Sequence, residues 1–260
     1  MFRRSRLLAR IREGKVARLC ATGSFTTYMP AIAAHLGYDA VWVDAEHRAW
    51  NANEAREMLL RHHLADIDCV FRPPTTERAA LSRLLEDGAT GLMIPMVNTV
   101  EQAQHLAQCV KFPPLGERGL DGSALDAGFW VGKDADYTQR ANRETALVAQ
   151  IETPIALENM ADIAEVGGVD ILFMGPGDLS LRLGCPPSLA EPPLRTALEK
   201  LAGVCTEKGK PWGCPVGSIE DARLIIDMGA KFVVYGSEFF SVRKQLGICA
   251  SELNQLLGDD

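Results

Sequence analysis

Two carboxylates, Glu152 and Asp178, stand at the ends of consecutive apolar runs, LVAQIE from Leu147 and ILFMGPGD from Ile171. Both runs are short and β-rich. Between them ALENMADIAEVGG keeps helical spacing at Ala156, Met160, Ile163 and Val166 before a Gly-Gly stop. The pattern is a βαβ unit, so its strands run parallel and their carboxyl ends share one face. Two carboxylates presented on that face suit a hard divalent cation, which takes oxygen ligands and keeps positions open for water and a chelating substrate. The competing reading is two unrelated carboxylates capping loops.

The elements that must position such a pair recur along the chain. Strand-like runs begin at Val16 (VARLCATGS), Ala40 (AVWVDAEH), Cys69 (CVFRPP), Gly91 (GLMIPMV), Leu147, Ile171, Pro211 (PWGCPVGS) and Lys231 (KFVVYGSE). Helical patterns such as ANEAREMLLRHHL, TERAALSRLLEDG, TVEQAQHLAQCV, LRTALEKLAGVCTEKG and SIEDARLIIDMGA separate them. About eight strands in strict β/α alternation over about 250 residues predict a (β/α)8 TIM barrel forming one domain over 1–260. A doubly wound sheet is the alternative, and no GxGxxG follows the first strand to support it. A helix over about 3–14 opens the chain, with Leu7, Leu8 and Ile11 inward and Gly14 as its stop. In a barrel, chemistry belongs at the carboxyl ends of the strands. Asp44, Glu46 and His47 end the second strand, Arg72 the third, Gln150 and Glu152 the fifth, and Gly175 to Asp178 the sixth.

Composition narrows the function. The 260 residues are 47% hydrophobic and 23% charged, with a formal charge of −7. That balance offers no basic stripe for nucleic acid, and an anionic substrate needs local help from a metal or an arginine. No run reaches the roughly 20 apolar residues of a membrane span. The seven cysteines make no CxxC pair, which is the usage of a reduced, cytoplasmic protein. Schiff-base chemistry needs a lysine at the barrel mouth. Lys15 and Lys231 begin strands instead, and the other lysines lie in helices or loops. Gly175 and Gly177 let the backbone approach a ligand closely, so the N–H groups around Gly177 and Asp178 are candidates to hold a carboxylate. A plain strand-to-helix turn is the other reading of that segment.

Taken together, D-x-E-H at Asp44 to His47, R-P at Arg72 and Pro73, G-x-x-x-P-M-V at Gly91 to Val97, R-G at Arg118 and Gly119, Q-I-E at Gln150 to Glu152 and G-P-x-D-L-S at Gly175 to Ser180 resemble the HpcH/HpaI family of metal-dependent class II pyruvate aldolases. The resemblance implies a barrel assembled as a hexamer, with its C-terminal helix packed on a neighbour. It implies Glu152 and Asp178 as ligands of Mg²⁺ or Mn²⁺, with Co²⁺ or Zn²⁺ possible. Arg72 would contact the pyruvate keto oxygen, Gln150 would hydrogen-bond near the metal, and His47 would transfer the proton. Asp87 would orient His47; because it precedes the fourth strand it lies at the wrong end of its own barrel and must come from an adjacent subunit. Asp44 would line the pocket or brace Arg72. The reaction implied is reversible cleavage of a 4-hydroxy-2-oxo acid to pyruvate and an aldehyde, through a metal-stabilised pyruvate enolate. The chain departs from the family pattern at Arg48-Ala49-Trp50, where a small residue and Pro are usual, so these positions are expected on the aldehyde side. The rival is a related carbon–carbon lyase or decarboxylase acting on an acyl-CoA, as in citrate-lyase β-type relatives. It needs a basic patch for CoA, for which only Arg48 and Arg118 are candidates.

Overall fold

A computed structural model of the chain describes residues 4–130 and 135–258. Eight parallel strands close into a barrel in sequence order: β1 (Ala17–Thr22), β2 (Ala40–Asp44), β3 (Asp68–Arg72), β4 (Gly91–Ile94), β5 (Ala146–Ile151), β6 (Ile171–Met174), β7 (Trp212–Val216) and β8 (Phe232–Ser237). Helix α1 (Arg6–Arg12) precedes them, and α2 (Met29–His35), α3 (Ala52–Leu64), α4 (Arg78–Glu86) and α5 (Val100–Val110) follow the first four strands. The fourth connection continues through α6 (Tyr137–Glu144). Helices α7 (Pro154–Glu165), α8 (Pro176–Leu183), α9 (Pro192–Glu207), α10 (Ile219–Asp227) and α11 (Glu238–Leu257) complete the shell.

Period-two alternation along the strands divides the core in two. Ala40, Val70, Met93, Ala146, Val148, Ile171, Phe173 and Phe232 fill the barrel interior with Leu7 and Leu8 of α1. Their neighbours Val41, Val43, Cys69, Phe71, Leu92, Leu147, Ala149, Ile151 and Leu172 face the helices. Helix α1 is held beneath the barrel because the buried carboxylate of Asp68 accepts from Ser5 Oγ at 2.6 Å and the Leu7 N–H at 2.9 Å. Trp42, Phe173 and Phe232 stack edge-on at 5.7 and 5.4 Å between ring centroids, giving the interior a solid aromatic layer rather than a pore.

One boundary differs from the sequence reading and bears on function. The GPGD segment does not extend the sixth strand: Gly175 is the N-cap of α8, with Pro176 at its first position and Asp178 in its first turn. Proline cannot donate in a ladder yet suits a helix start, so the strand ends at Met174. Helices α2 and α6 are not among the helical patterns named from the sequence; α2 has only seven residues, and α6 is short and low in apolar content, burying Tyr137 and Ala141 on one face.

Candidate active site

The inner rows of the barrel run upward into polar groups. Ala40 and Trp42 lead to Asp44, Val70 leads to Arg72, and Ala146 and Val148 lead to Gln150 and then Glu152, each step being two residues. The register sets Asp44 beside Arg72 across β2 and β3. The barrel mouth therefore collects these side chains because their parity matches that of the apolar interior.

Hydrogen bonds join them into one chain. Arg72 Nε donates to Asp44 Oδ1 at 2.9 Å and its Nη1 to Gln150 Oε1 at 3.3 Å, while Glu46 Oε2 lies 3.1 Å from Nη1. Gln150 Nε2 then donates to Glu152 Oε2 at 3.0 Å, and the Met96 N–H donates to Glu152 Oε1 at 2.7 Å. The guanidinium stacks over the Trp42 ring, 4.6 Å from its centroid, a cation–π contact that fixes its plane. Arg72 is only 6% exposed, so its charge is directed rather than solvated. Asp44 also accepts from the N–H groups of Glu46 and His47 at 3.1 and 3.4 Å. Burial works against its charge, but the bond to Arg72 and that residue's positive charge outweigh it and hold the carboxyl below its ordinary range. Of the two roles expected for Asp44, the structure shows the brace.

Glu152 is the opposite case. It is 2% exposed, and burial above all raises its carboxyl, to about 7 with all its neighbours counted. Within that balance the Met96 N–H and Arg72 pull it down, and the charges of Asp178 and Glu46 push it up. The centre holds more negative charge than its own cations compensate, which is the condition a divalent ion relieves. Space is reserved as well: a Cβ on Gly175 would lie 2.1 Å from Glu152 Oε2, so only glycine there lets the backbone pass. The strand ends at Ile151, and Thr153 caps α7 directly after Glu152 by accepting the Ala156 N–H at 3.0 Å, with Pro154 opening the helix. Among the described residues no group of three or more His, Cys, Asp or Glu side chains converges as a metal site. The donors that fit a hard cation are the carboxylates of Glu152 and Asp178, leaving other positions for substrate and water.

Asp178 lies near enough for its charge to act on Glu152, and Arg182 Nη1 donates to its Oδ1 at 2.8 Å. Gly177 has open space where a Cβ would stand. With Pro176 lacking an N–H, the N–H groups of Gly177 and Asp178 are first-turn donors without an intrahelical acceptor.

The remaining expected residues are less gathered. His47 follows β2 in an exposed bend, 54% exposed, with Glu46 Oε2 3.6 Å from its Nε2. Asp87 caps α4 at the amino side of β4 and pairs with Arg56 at 3.6 Å. Burial raises its pKa and the charge of Asp126 adds to that, against Arg56 and Arg83. Within one chain Asp87 and His47 are not brought together. Trp50 does not face open space on the acceptor side: its indole N–H donates to the Asp44 carbonyl at 2.9 Å, and its rings stack edge-on with Phe25 and Phe71. Arg48 lies across Gly23, where a Cβ would meet its Cγ at 2.7 Å. Arg118 is 5% exposed, bonded to Asp126 and stacked on Phe112 at 4.7 Å, so it cannot serve as a surface patch for CoA. Arg182 escaped the sequence reading, and Met96 entered it only as part of the block at Gly91 to Val97, with no role given. Arg182 carries a usable signal, its i,i+4 spacing from Asp178, once residue 176 is known to begin a helix.

Fold and site define a barrel enzyme whose polar groups are built at the carboxyl ends of parallel strands. The chain belongs to the HpcH/HpaI aldolase/citrate lyase family, whose model matches residues 20–244. It is similar to a 2-keto-3-deoxy-L-rhamnonate aldolase of Salmonella paratyphi B, at 35% identity over 213 residues, 82% of this chain and 79% of that protein. An HpcH/HpaI aldolase from Desulfitobacterium hafniense DCB-2 superposes with a TM-score of 0.90 at 27% identity, covering 95% of each chain. A family protein from Burkholderia cenocepacia J2315 superposes at 0.87 with 26% identity, covering 96% of this chain and 99% of that one. The protein is accordingly an enzyme of the aldolase type, a carbon–carbon lyase. No helix among the described residues is long and apolar enough to cross a membrane.

Proposed function

We propose that the enzyme reversibly cleaves a 4-hydroxy-2-oxo acid to pyruvate and an aldehyde, with Glu152 and Asp178 holding a divalent cation, Mg²⁺ or Mn²⁺ before Co²⁺ or Zn²⁺. The observation that carries this reading is the continuous chain from Asp44 through Arg72 and Gln150 to Glu152, with Asp178 beside it. It sets an oriented positive charge next to an undercompensated carboxylate pair. When bound, the cation supplies Lewis-acid polarisation of the substrate's keto oxygen.

The protein's own groups account for the rest. Arg72, fixed by Asp44, Glu46 and the Trp42 ring, presents preorganised positive charge where an oxyanion develops. Gln150 bonds both Arg72 and Glu152 and keeps their spacing. The N–H groups of Gly177 and Asp178, at the start of α8, would donate to a substrate carboxylate. His47, exposed at the mouth, takes the proton of the C4 hydroxyl in cleavage and returns it in condensation. Asp87 would complete His47 from a neighbouring subunit, since within its own chain it faces Arg56. Arg48, which lies against Gly23, would meet a charged aldehyde. The Salmonella relative's substrate, a 2-keto-3-deoxy sugar acid by its name, is consistent with this class.

The proposal includes a homo-oligomer, a hexamer by resemblance. Helix α11 has no buried residue and exposes Phe239, Phe240, Val242, Leu246, Leu253 and Leu256. Beside it a cavity of about 710 Å³, away from the carboxylates, is lined by Met29, Ile32, Leu36 and Phe239 among others. An apolar helix beside an apolar groove supports packing of the C-terminal helix on a neighbour.

Pyruvate release from a panel of 4-hydroxy-2-oxo acids, with Mn²⁺ and with chelator, tests the reading. Metal-dependent release from at least one member is expected. Inactivity across the panel, with turnover of an acyl-CoA instead, would transfer the enzyme to the rival lyase class.

A further inference from the structure

Arg182 lies at the junction of the two segments that carry the acidic pair. Its Nη1 donates to Asp178 Oδ1 at 2.8 Å and to the Asp178 carbonyl at 3.0 Å. Its Nη2 reaches Met96 Sδ at 3.6 Å, and Met96 is the residue whose N–H holds Glu152 Oε1 at 2.7 Å. Met96 itself sits in the left-handed region at φ 55°, uncommon for a residue with a side chain, so the loop after β4 is held in a demanding conformation. One guanidinium thus ties the first turn of α8, which presents Asp178, to the loop that anchors Glu152. Among the described residues no group bonds Asp178 Oδ2, so the carboxylate is fixed through one oxygen and open at the other.

We propose that Arg182 is a positioning residue for the metal pair: it sets the rotamer of Asp178 and its spacing from Glu152, so that the two carboxylates are preorganised for one divalent cation. The proposal rests on Glu152 and Asp178 being the ligands and adds the residue that orients them. An exposed i,i+4 pair contributes little by itself, and here Arg182 is 33% and Asp178 40% exposed; the case rests on the three contacts the guanidinium makes around the pair. Partners that orient metal ligands typically matter ~10–100-fold in affinity. A guanidinium beside a cation also repels it, an effect of opposite sign, and salt screens both this repulsion and the exposed pair with Asp178.

The test is calorimetric titration of Mn²⁺ into chelator-stripped full-length protein at one fixed, moderate ionic strength for all variants, where affinity reads the orienting contribution net of the repulsion. Arg182→Gln is expected to weaken binding by ~10–100-fold relative to wild type. Arg182→Lys, which keeps the charge but loses the fork, should fall between the two. Unchanged affinity in the Gln variant would make Arg182 an ordinary surface ion pair, and tighter binding would make it a competitor for Asp178; either result overturns the proposal. If Arg182→Gln fails to fold by circular dichroism, the Lys variant carries the test alone, with wild-type affinity as the refuting outcome. Glu152→Gln serves as the separate control. Mn²⁺ binding that it leaves untouched would refute the ligand assignment itself, whatever Arg182 does.

Discussion

Replacing Glu152 by Gln should stabilise the metal-free protein at high pH, although it removes a residue assigned to the active site. The structure sets the magnitude. A carboxyl moved from 4.5 to about 7 carries its charge at pH 8 at a cost of up to about 3 kcal/mol relative to the unfolded chain. Because the folded pKa is raised, the native state binds more protons than the unfolded state between the two values. Wild-type stability from this group is therefore complete below the unfolded value and is lost as pH rises through the folded one. Gln cannot ionise, so the variant lacks this loss. Its amide also presents a donor toward Gln150 Nε2, as a proton on Oε2 would, and any such fixed penalty cancels when two pH values are compared. The assay is thermal unfolding in EDTA at pH 4.5 and pH 8. The difference in Tm, variant minus wild type, should grow by roughly 6–12 °C across that interval, at roughly 2–4 °C per kcal/mol for a chain of this size. A difference that stays flat would refute the reasoning that burial and the neighbouring carboxylates leave Glu152 undercompensated.

Three further outcomes follow from the geometry. Arg72→Ala should retain Mn²⁺ binding by titration but lower kcat by ~10²–10³-fold, the cost of removing a preorganised charge from an oxyanion site; near wild-type turnover would remove Arg72 from the chemistry. Gly175→Ala places a Cβ 2.1 Å from Glu152 Oε2 and should displace that carboxylate, so metal affinity is expected to drop while circular dichroism stays native; unchanged affinity would show that the turn yields instead. Mixed oligomers of inactive His47→Ala and inactive Asp87→Ala chains should regain part of the activity if a His47 meets the Asp87 of a neighbour, and verified mixed oligomers with none would end the shared-site reading.

Much of this architecture was legible in the sequence because barrel strands are read by parity. Once Val70 and Val148 face inward, Arg72 and Gln150 must follow, and Glu152 lies one step beyond. The helix over Ala52–Leu64 was equally plain, having an Asn51 cap and an apolar face. What resisted reading depends on neighbours distant in sequence. The sequence offered Asp44 two roles, and only the fold, which sets it beside Arg72 28 positions away, selects the brace; nothing nearby shows that Trp50 anchors its carbonyl. The GPGD segment looks strand-like from the apolar run before it, yet Pro176 begins a helix; the four-residue spacing of Asp178 and Arg182 is meaningful only then. Trp50 was expected near the aldehyde and is instead packed between Phe25 and Phe71, since a large indole with one donor is better satisfied beneath a loop than in solvent.

The assignment of Glu152 and Asp178 as the metal-binding pair is the claim on which the rest depends, and direct titration of Mn²⁺ into chelator-stripped wild type, Glu152→Ala and Asp178→Ala addresses it without reference to substrate. One site per chain is expected in wild type and none in either variant, because each removes one of the two protein ligands. Wild-type affinity surviving in both variants would place the metal elsewhere and contradict the account.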